Sequence, residues 1–305
     1  MQLRFLRYCW QLGASGDGTM KIIVRVPGSC GELVQGYWEN QPFLVTCPID
    51  WYTTVCVEDK KPPQLLCGKK AEKAVYQTLA YIGETAFPFA LTLSSEIPQG
   101  KGMASSSADI GAVCIAVAAA FHKTLTAQEI AYLAASIEPT DGVFCPGIVA
   151  INYRSGRILQ AYSSFPPLQL VIFDAGGTMN TETYHNQYDA NEQLYGQENA
   201  AACAYLKRPY TAAAVGRAAT CSAVLHQRVR YRPELPALQR IGKDYGSSGI
   251  VIGHSGTVAA LLFPPAAEKQ VRTASLASCV QEKTTMKLLG TAVLRSGGWQ
   301  IEKRR

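Results

Sequence analysis

Long apolar runs are missing from this sequence. The longest, Ile110 to Phe121, is closed by Asp109 and His122. It falls well short of the roughly 20 residues a membrane-spanning helix needs, so it reads as a buried helix and no membrane partner is expected. Charge is scarce as well: 17% of the 305 residues, against 48% hydrophobic. That balance supports a sizeable core and excludes a disordered or fibrous chain. At about 150 residues per domain the length suggests two domains or one large one. The net charge of +6 comes from scattered positives, and the one basic run, Lys303–Arg305, lies at the tail. No nucleic-acid partner is therefore expected, and a phosphorylated small ligand fits the excess at least as well. None of the ten cysteines pairs with another at C-x-x-C spacing, and His122, His185, His226 and His254 do not cluster with them. A disulfide scaffold and a zinc site are both disfavoured, and reduced cysteines in a cytoplasmic protein are the expectation. Residues 1–19 have neither an apolar segment of signal-peptide length nor a small-residue cleavage pattern. The fold is expected to begin near Met20, with 1–19 an extension. Gly13 to Gly18 imitates half of a P-loop, but Thr19-Met20 stands where a lysine is required.

Alternation of apolar and polar residues predicts strands at 21–27, 43–48, 52–58 and 89–96. Helices are predicted over 69–82, 105–123 and 126–137, the last opened by Thr126 with Glu129 three residues on as a capping box. Segments 147–153 and 157–162 read as a hairpin around Arg154-Ser155-Gly156. Pro166-Pro167 then interrupts the chain before a strand at 168–173. The expected domains are thus 20–165 and 166–305. The second half predicts helices at 190–206 and 211–228, a strand pair within 249–263, a helix near 265–272 and strands within 284–301. Strands mixed with helices in both halves argue for two α+β domains.

The most informative stretch is Ile97-Pro-Gln-Gly-Lys-Gly-Met-Ala-Ser-Ser-Ser-Ala108. Pro98 stops a strand, Gly100 and Gly102 allow a tight turn, and Ser105, Ser106 and Ser107 open a helix. The first N–H groups of a helix have no internal partner, and its dipole is positive there. Strand, glycine loop and helix start together make an anion site, to which Lys101 adds a full charge. The serine hydroxyls can cap the helix or coordinate the magnesium that accompanies a nucleotide. An ordinary strand–turn–helix with serine caps is the alternative.

Pro98-x-x-x-Gly102-Met103-Ala104-Ser105-Ser106-x-Ala108 resembles the phosphate-loop motif of the GHMP kinases, which include galactokinase, homoserine kinase and mevalonate kinase. Val26-Pro-Gly-Ser-Cys-Gly-Glu-Leu-Val-Gln-Gly36 resembles the family's N-terminal motif, and Ile252-Gly-His-Ser-Gly-Thr-Val-Ala-Ala-Leu261 its C-terminal glycine motif. The three stand in the family's order, and the resemblance spans about residues 20–305. It implies an α+β two-domain fold, with an N-terminal domain like domain 2 of ribosomal protein S5 and a ferredoxin-like C-terminal domain. It also implies ATP and magnesium as cofactors, a small-molecule substrate, and ATP binding by Pro98, Gly100, Lys101, Gly102, Met103, Ala104 and the three serines. The Pro-Gly-Ser-Cys-Gly-Glu-Leu form of the first motif, with Cys47-Pro-Ile-Asp-Trp51 and Glu138-Pro-Thr-Asp141, is further similar to the L-threonine kinases of cobalamin biosynthesis. Those enzymes make O-phospho-L-threonine for the aminopropanol linker. Mevalonate-type kinases have a lysine where this chain has Ser29, so another group must substitute or the step runs without it.

Phosphoryl transfer to an alcohol needs positioning, a metal and often a carboxylate at the acceptor hydroxyl. Glu138 and Asp141 stand three apart where Pro139 forces the chain out of a helix, so both can face one cleft; a solvated helix end is the alternative. By resemblance Asp141 is the catalytic aspartate, and Glu138 joins Ser106 on magnesium. Glu32, Asp50 and Asp174 are candidate partners for a substrate ammonium, and Gly253, His254, Ser255 and Gly256 flank the site. Arg25 reads as a solvent-face residue. Gly253-His-Ser-Gly256 also imitates a hydrolase nucleophile elbow, but Thr257 replaces the second glycine and no histidine follows Ser255. The remaining alternatives are a kinase for L-homoserine, L-serine or an amino alcohol, and a non-catalytic nucleotide-binding regulator.

Overall fold

The computed structural model describes residues 20–59, 61–162, 165–179, 181–265 and 273–304. The expected extension at 1–19 lies outside them. Strands β1 (Lys21–Trp38) and β2 (Gln41–Glu58) form one long antiparallel hairpin, from Lys21 opposite Glu58 to Trp38 opposite Gln41. Glu39 and Asn40 close it with φ of 48° and 65°, a turn whose twist matches that of the paired strands. The predicted strand at 21–27 is therefore only the first part of β1. The rest escapes period-2 reading because its register shifts between Pro27 and Ser29, between Ser29 and Glu32, and between Glu32 and Val34. Those bulges carry the N-terminal motif, and they re-aim its side chains away from regular alternation.

After β3 (Gln64–Leu66) come α1 (Lys69–Ile82), β4 (Ala90–Ser95), α2 (Ser105–Ala120) and α3 (Ala127–Ala135), then the hairpin β5 (Ile148–Ile151) and β6 (Ile158–Tyr162). Helix α2 is buried at every position from Ile110 to Ala120. It rests on β1 and β2 and is covered by α1 and α3, and small residues such as Gly111, Ala112 and Ala116 allow that close packing. The second half contains β7 (Gln169–Asp174), α4 (Thr181–Ala200), α5 (Ala212–Leu225), α6 (Leu235–Asp244), β8 (Gly249–Ile252), β9 (Val258–Phe263), α7 (Thr273–Lys283), β10 (Lys287–Val293) and β11 (Gln300–Arg304).

Helix α4 begins nine residues before its predicted start, and α6 and β3 were not predicted. The helix expected near 265–272 falls largely on residues outside the described ones, and α7 follows at Thr273. Helix α6 is visible in hindsight from Leu235, Leu238 and Ile241, a buried stripe at helical spacing. Among the described residues the strands join in one sheet ordered β10-β7-β9-β8-β1-β2-β4-β3, with β5 on β2 and β11 on β1. Strands β1 and β8 pair only at Glu32 opposite Ile252. The closing strand β11 crosses back over residue 166 to pair with β1. A separate apolar cluster of Phe173, Leu238, Ile241, Leu261, Leu276 and Val280 lies under α6 and α7.

The capping box of α3 is formed as the sequence predicts: the Glu129 N–H donates to Thr126 Oγ1 at 3.2 Å, and the Thr126 N–H donates to the Glu129 carboxylate at 2.6 Å. Replacing Thr126 with Ala should cost about 1 kcal/mol of stability in denaturant unfolding. An unchanged midpoint would show that α3 is held by packing alone.

Candidate active site

The phosphate loop begins where β4 ends. Gly100 and Gly102 take φ of 69° and 77°, and Ala104 takes 54°. Ala104 is the N-cap residue of α2, and no side chain caps the helix. The serines are thus its first helical residues, which corrects the reading of them as caps. Ala108 is the first residue to donate within the helix, to Ala104 O at 2.9 Å. The N–H groups of Ser105, Ser106 and Ser107 have no helix-internal acceptor. Their hydroxyls are divided: Ser107 Oγ accepts from the Asp141 N–H at 3.0 Å, while Ser106 Oγ donates to Glu138 Oε1. The strand-side and helix-side halves of the predicted constellation therefore meet.

The other two motifs grip this loop from both sides. The Ser29 N–H donates to Met103 O at 2.9 Å, and the Thr257 N–H donates to Lys101 O at 3.0 Å. Gly102 and Gly256 lie back to back: a Cβ on Gly256 would stand 2.1 Å from Lys101 O and 2.4 Å from Gly102 Cα. Two arginines fix the far side of the C-terminal loop. Arg232 donates to Val258 O at 2.9 Å and Gly256 O at 3.2 Å, and Arg230 donates to Gly256 O at 2.7 Å. Burial, then the neighbouring Arg230, brings the Arg232 guanidinium down to about 10, so it remains a cation at neutral pH.

A cleft of about 380 Å³ opens between these loops. Gly100, Gly102, Met103, Ala104, the three serines, Glu138, Asp141, Glu32 and Ser255 line it, as the sequence suggests. Several expected residues do not reach it. Lys101 Nζ is bound to Asp174 Oδ2 at 2.5 Å and Gly177 O at 2.6 Å, so its charge is spent outside the cleft. Asp174 also accepts from Thr257 Oγ1 at 2.5 Å. Burial pushes its carboxyl up, but the hydrogen bonds from Lys101 and Thr257 outweigh this and hold it below the usual range. Asp50 accepts the Val293 N–H at 2.7 Å and serves the join to β10. Pro98, Gly253 and Gly256 do not line the cleft, and the two glycines pack against the Lys101–Gly102 backbone. Arg25 stacks over the Tyr52 ring at 4.4 Å.

The carboxylates are the site's dominant charge. Asp141 Oδ1 is buried with no hydrogen-bond partner. Burial, then Glu32 and Glu138 nearby, pushes this carboxyl well above the usual range. Asp109, one turn into α2 and given no site role from the sequence, also lines the cleft. Burial and the neighbouring Glu138 raise it to about 6, against the hydrogen bond from Thr53 Oγ1 at 2.7 Å. Lys69 and Lys70, at the start of α1, line the same cleft, and Lys70 Nζ is paired with Glu138 Oε2.

His254 is fully buried behind Glu32. Its backbone N–H and its ring Nδ1 both meet Glu32 Oε2 at 2.8 Å, leaving Oε1 for the cleft that Glu32 lines. His254 therefore orients Glu32 and does not itself reach the cleft. A second buried node was missed: Glu192 of α4 accepts from Gln35 Nε2 at 2.5 Å, Tyr184 OH at 2.8 Å and Tyr153 OH at 2.9 Å. Gln35 and Tyr153 both line the cleft. Gln35 sits three residues after Glu32 in the N-terminal motif, which was the available signal; nothing in the sequence marks Glu192.

A glycine loop and an uncapped helix start thus face converging carboxylates. The family model of the GHMP kinases N terminal domain matches residues 69–149. The chain is 30% identical over 254 residues to the L-threonine kinase of Salmonella typhimurium strain LT2, covering 79% of this chain and 82% of that protein. It is 29% identical over 252 residues to the L-threonine kinase of Citrobacter freundii, covering 79% and 86%. The mevalonate kinase of Methanococcus jannaschii shares the fold, with a TM-score of 0.68 at 17% identity over 90% of this chain and 98% of that one. The chain belongs to the GHMP kinases: it has their α+β fold and is a small-molecule kinase with an alcohol acceptor. Within that family, the relatives at about 30% identity are L-threonine kinases.

Asp141 makes a stability prediction with a definite sign. Its folded-state carboxyl holds a proton that the unfolded chain releases above about pH 4, so its contribution to stability falls as pH rises from there. Asp141→Asn should therefore stabilise the ligand-free protein at pH 7 relative to pH 4, read as a melting-temperature difference that grows with pH. A difference independent of pH would refute the raised carboxyl.

Proposed function

We propose that this protein transfers the γ-phosphoryl group of ATP, with magnesium, to the side-chain hydroxyl of L-threonine, giving O-phospho-L-threonine for the aminopropanol linker of cobalamin. The observation that carries the reading is the pairing, in one cleft, of uncommitted α2 N–H groups with the partnerless Asp141 Oδ1 and the open oxygen of Glu32. The named relatives support threonine over other acceptors. The nine described cysteines are all free, which suits a reducing cytoplasm.

The residues present fit a metal nucleotide. The α2 N-terminus offers N–H donors for phosphate oxygens, and Glu138 with the Ser106 hydroxyl offers hard oxygen ligands for magnesium. Bound there, the metal supplies charge neutralisation for the phosphates. Asp141 orients the acceptor hydroxyl and takes its proton at Oδ1. Its raised proton affinity suits that task, and positive charge entering the cleft draws it back toward ionisation. Glu32 Oε1 holds the ammonium of the amino acid in a charge-assisted hydrogen bond, held in aim by His254. Transfer is direct in this reading, which is supported by the cleft's having no histidine or cysteine among the described residues that line it.

Two measurements test this. With magnesium-ATP and L-threonine, L-serine, L-homoserine, ethanolamine or 1-amino-2-propanol as acceptor, kcat/KM should be highest for L-threonine; preference for another acceptor would keep the kinase and overturn the substrate. Asp141→Asn should lower kcat by about 10²–10⁴-fold, and Glu32→Gln should raise the KM for L-threonine with the KM for ATP nearly unchanged. Equal effects of Glu32→Gln on both would remove Glu32 from acceptor binding.

A further inference from the structure

We propose that Lys70 is the cation that faces the transferred phosphate, stored on Glu138 until a divalent metal displaces it. The proposal rests on the magnesium-ATP reading above and deepens it.

Transfer of a phosphoryl group concentrates negative charge on oxygens that a site must neutralise. The cation expected to do so, Lys101, is held by Asp174 and Gly177 O, and Arg230 and Arg232 are turned to backbone carbonyls. The cations that line the cleft are Lys69 and Lys70. Lys70 Nζ is paired with Glu138 Oε2, and Ser106 Oγ donates to Oε1 of the same carboxylate. Both oxygens that would hold a metal are thus occupied by donors. Magnesium on Glu138 competes directly with the ammonium for one carboxylate.

Lys70 can leave readily. Its side chain is 52% exposed, against 10% for Glu138, so release costs little desolvation. Its destination is also defined. Helix α1 has no side-chain cap at Gly68, and its first internal bond is from the Glu72 N–H to Gly68 O at 2.9 Å. The N–H groups of Lys69, Lys70 and Ala71 are therefore without helix-internal acceptors at residues that line the cleft. Two helix N-termini, of α1 and α2, converge on one space, and the highest negative charge to enter it is a polyphosphate. A displaced Lys70 lies beside that charge.

The test is equilibrium binding, by calorimetry on the full chain at saturating Mg²⁺, of ATP and of AMP. Wild type, Lys70→Met and Lys70→Arg are compared, with Lys73→Met as a control for general charge on exposed α1. Lys70→Met should weaken ATP at least tenfold and leave AMP within twofold, with Lys70→Arg recovering most of the loss and Lys73→Met matching wild type. Mn²⁺ added without nucleotide should bind Lys70→Met more tightly than wild type, because its competitor is gone. ATP affinity unchanged in Lys70→Met, or ATP and AMP weakened alike, would overturn the role of Lys70. Mn²⁺ binding no tighter than in wild type would overturn the storage on Glu138. A wild-type protein that bound no nucleotide would instead overturn the magnesium-ATP reading on which the proposal stands.

Discussion

The contact between Gly102 and Gly256 is the constraint on which the site depends. Three segments far apart in sequence must place their backbones within hydrogen-bond reach, and a side chain at either glycine would keep them apart. Their closeness lets the Lys101 carbonyl accept from Thr257, and the Met103 carbonyl accept from Ser29 on the opposite side. Because those carbonyls are satisfied by neighbouring loops, the chain can enter α2 through the left-handed Ala104 and leave the first N–H groups of the helix uncommitted. Gly31 performs a similar service, with φ of 66° and a Cβ position 2.1 Å from Ile252 O. It lets the bulged part of β1 meet the end of β8, where the two halves of the sheet join.

The electrostatics follow from that frame. Backbone held this tightly needs its outer carbonyls and loop charges paired, and Arg230, Arg232 and the Lys101–Asp174 pair do so. The structure therefore uses its strongest cations for scaffold and leaves carboxylates facing the cleft. Glu32, Asp109, Glu138 and Asp141 share one space, and two of them are held above the ordinary carboxyl range. Such a site is incomplete without cations from outside. On the proposed function, a metal and a substrate ammonium are the two cations brought to it, and each would relieve the repulsion among these carboxylates.

Much of this was legible in the sequence. The glycine loop running into α2, the placing of Ser106, Glu138 and Asp141 on one cleft and the capping box of α3 all rest on local spacing, and local spacing survives folding. The failures have a common cause. Lys101 reads as an anion-site cation because it lies between two glycines, yet its side chain leaves the loop on the side where Asp174, far along the chain, receives it. Asp50 reads as a ligand from the resemblance and Asp174 from its place at a strand end, yet Asp50 is taken by the Val293 N–H and Asp174 by Lys101 and Thr257. Lys70, Asp109 and Glu192 were invisible because the bonds that tie them to the cleft, to Glu138, Thr53, Gln35 and Tyr153, join residues at least 39 apart in sequence, and no short motif records a pairing of that range. The missed continuation of β1 differs: its bulges erase the alternation by which a strand is recognised.

The most direct test of the loop contact is nucleotide binding by Gly256→Ala. The substitution adds one methyl group on the far side of the loop from the cleft. Measured by calorimetry with magnesium-ADP, on protein whose circular dichroism matches wild type, the account predicts at least a tenfold loss of affinity, because the added carbon forces Lys101 and Gly102 away and disturbs the helix start behind them. Wild-type affinity in a folded Gly256→Ala protein would contradict it, and would mean that the phosphate loop keeps its shape without its neighbours.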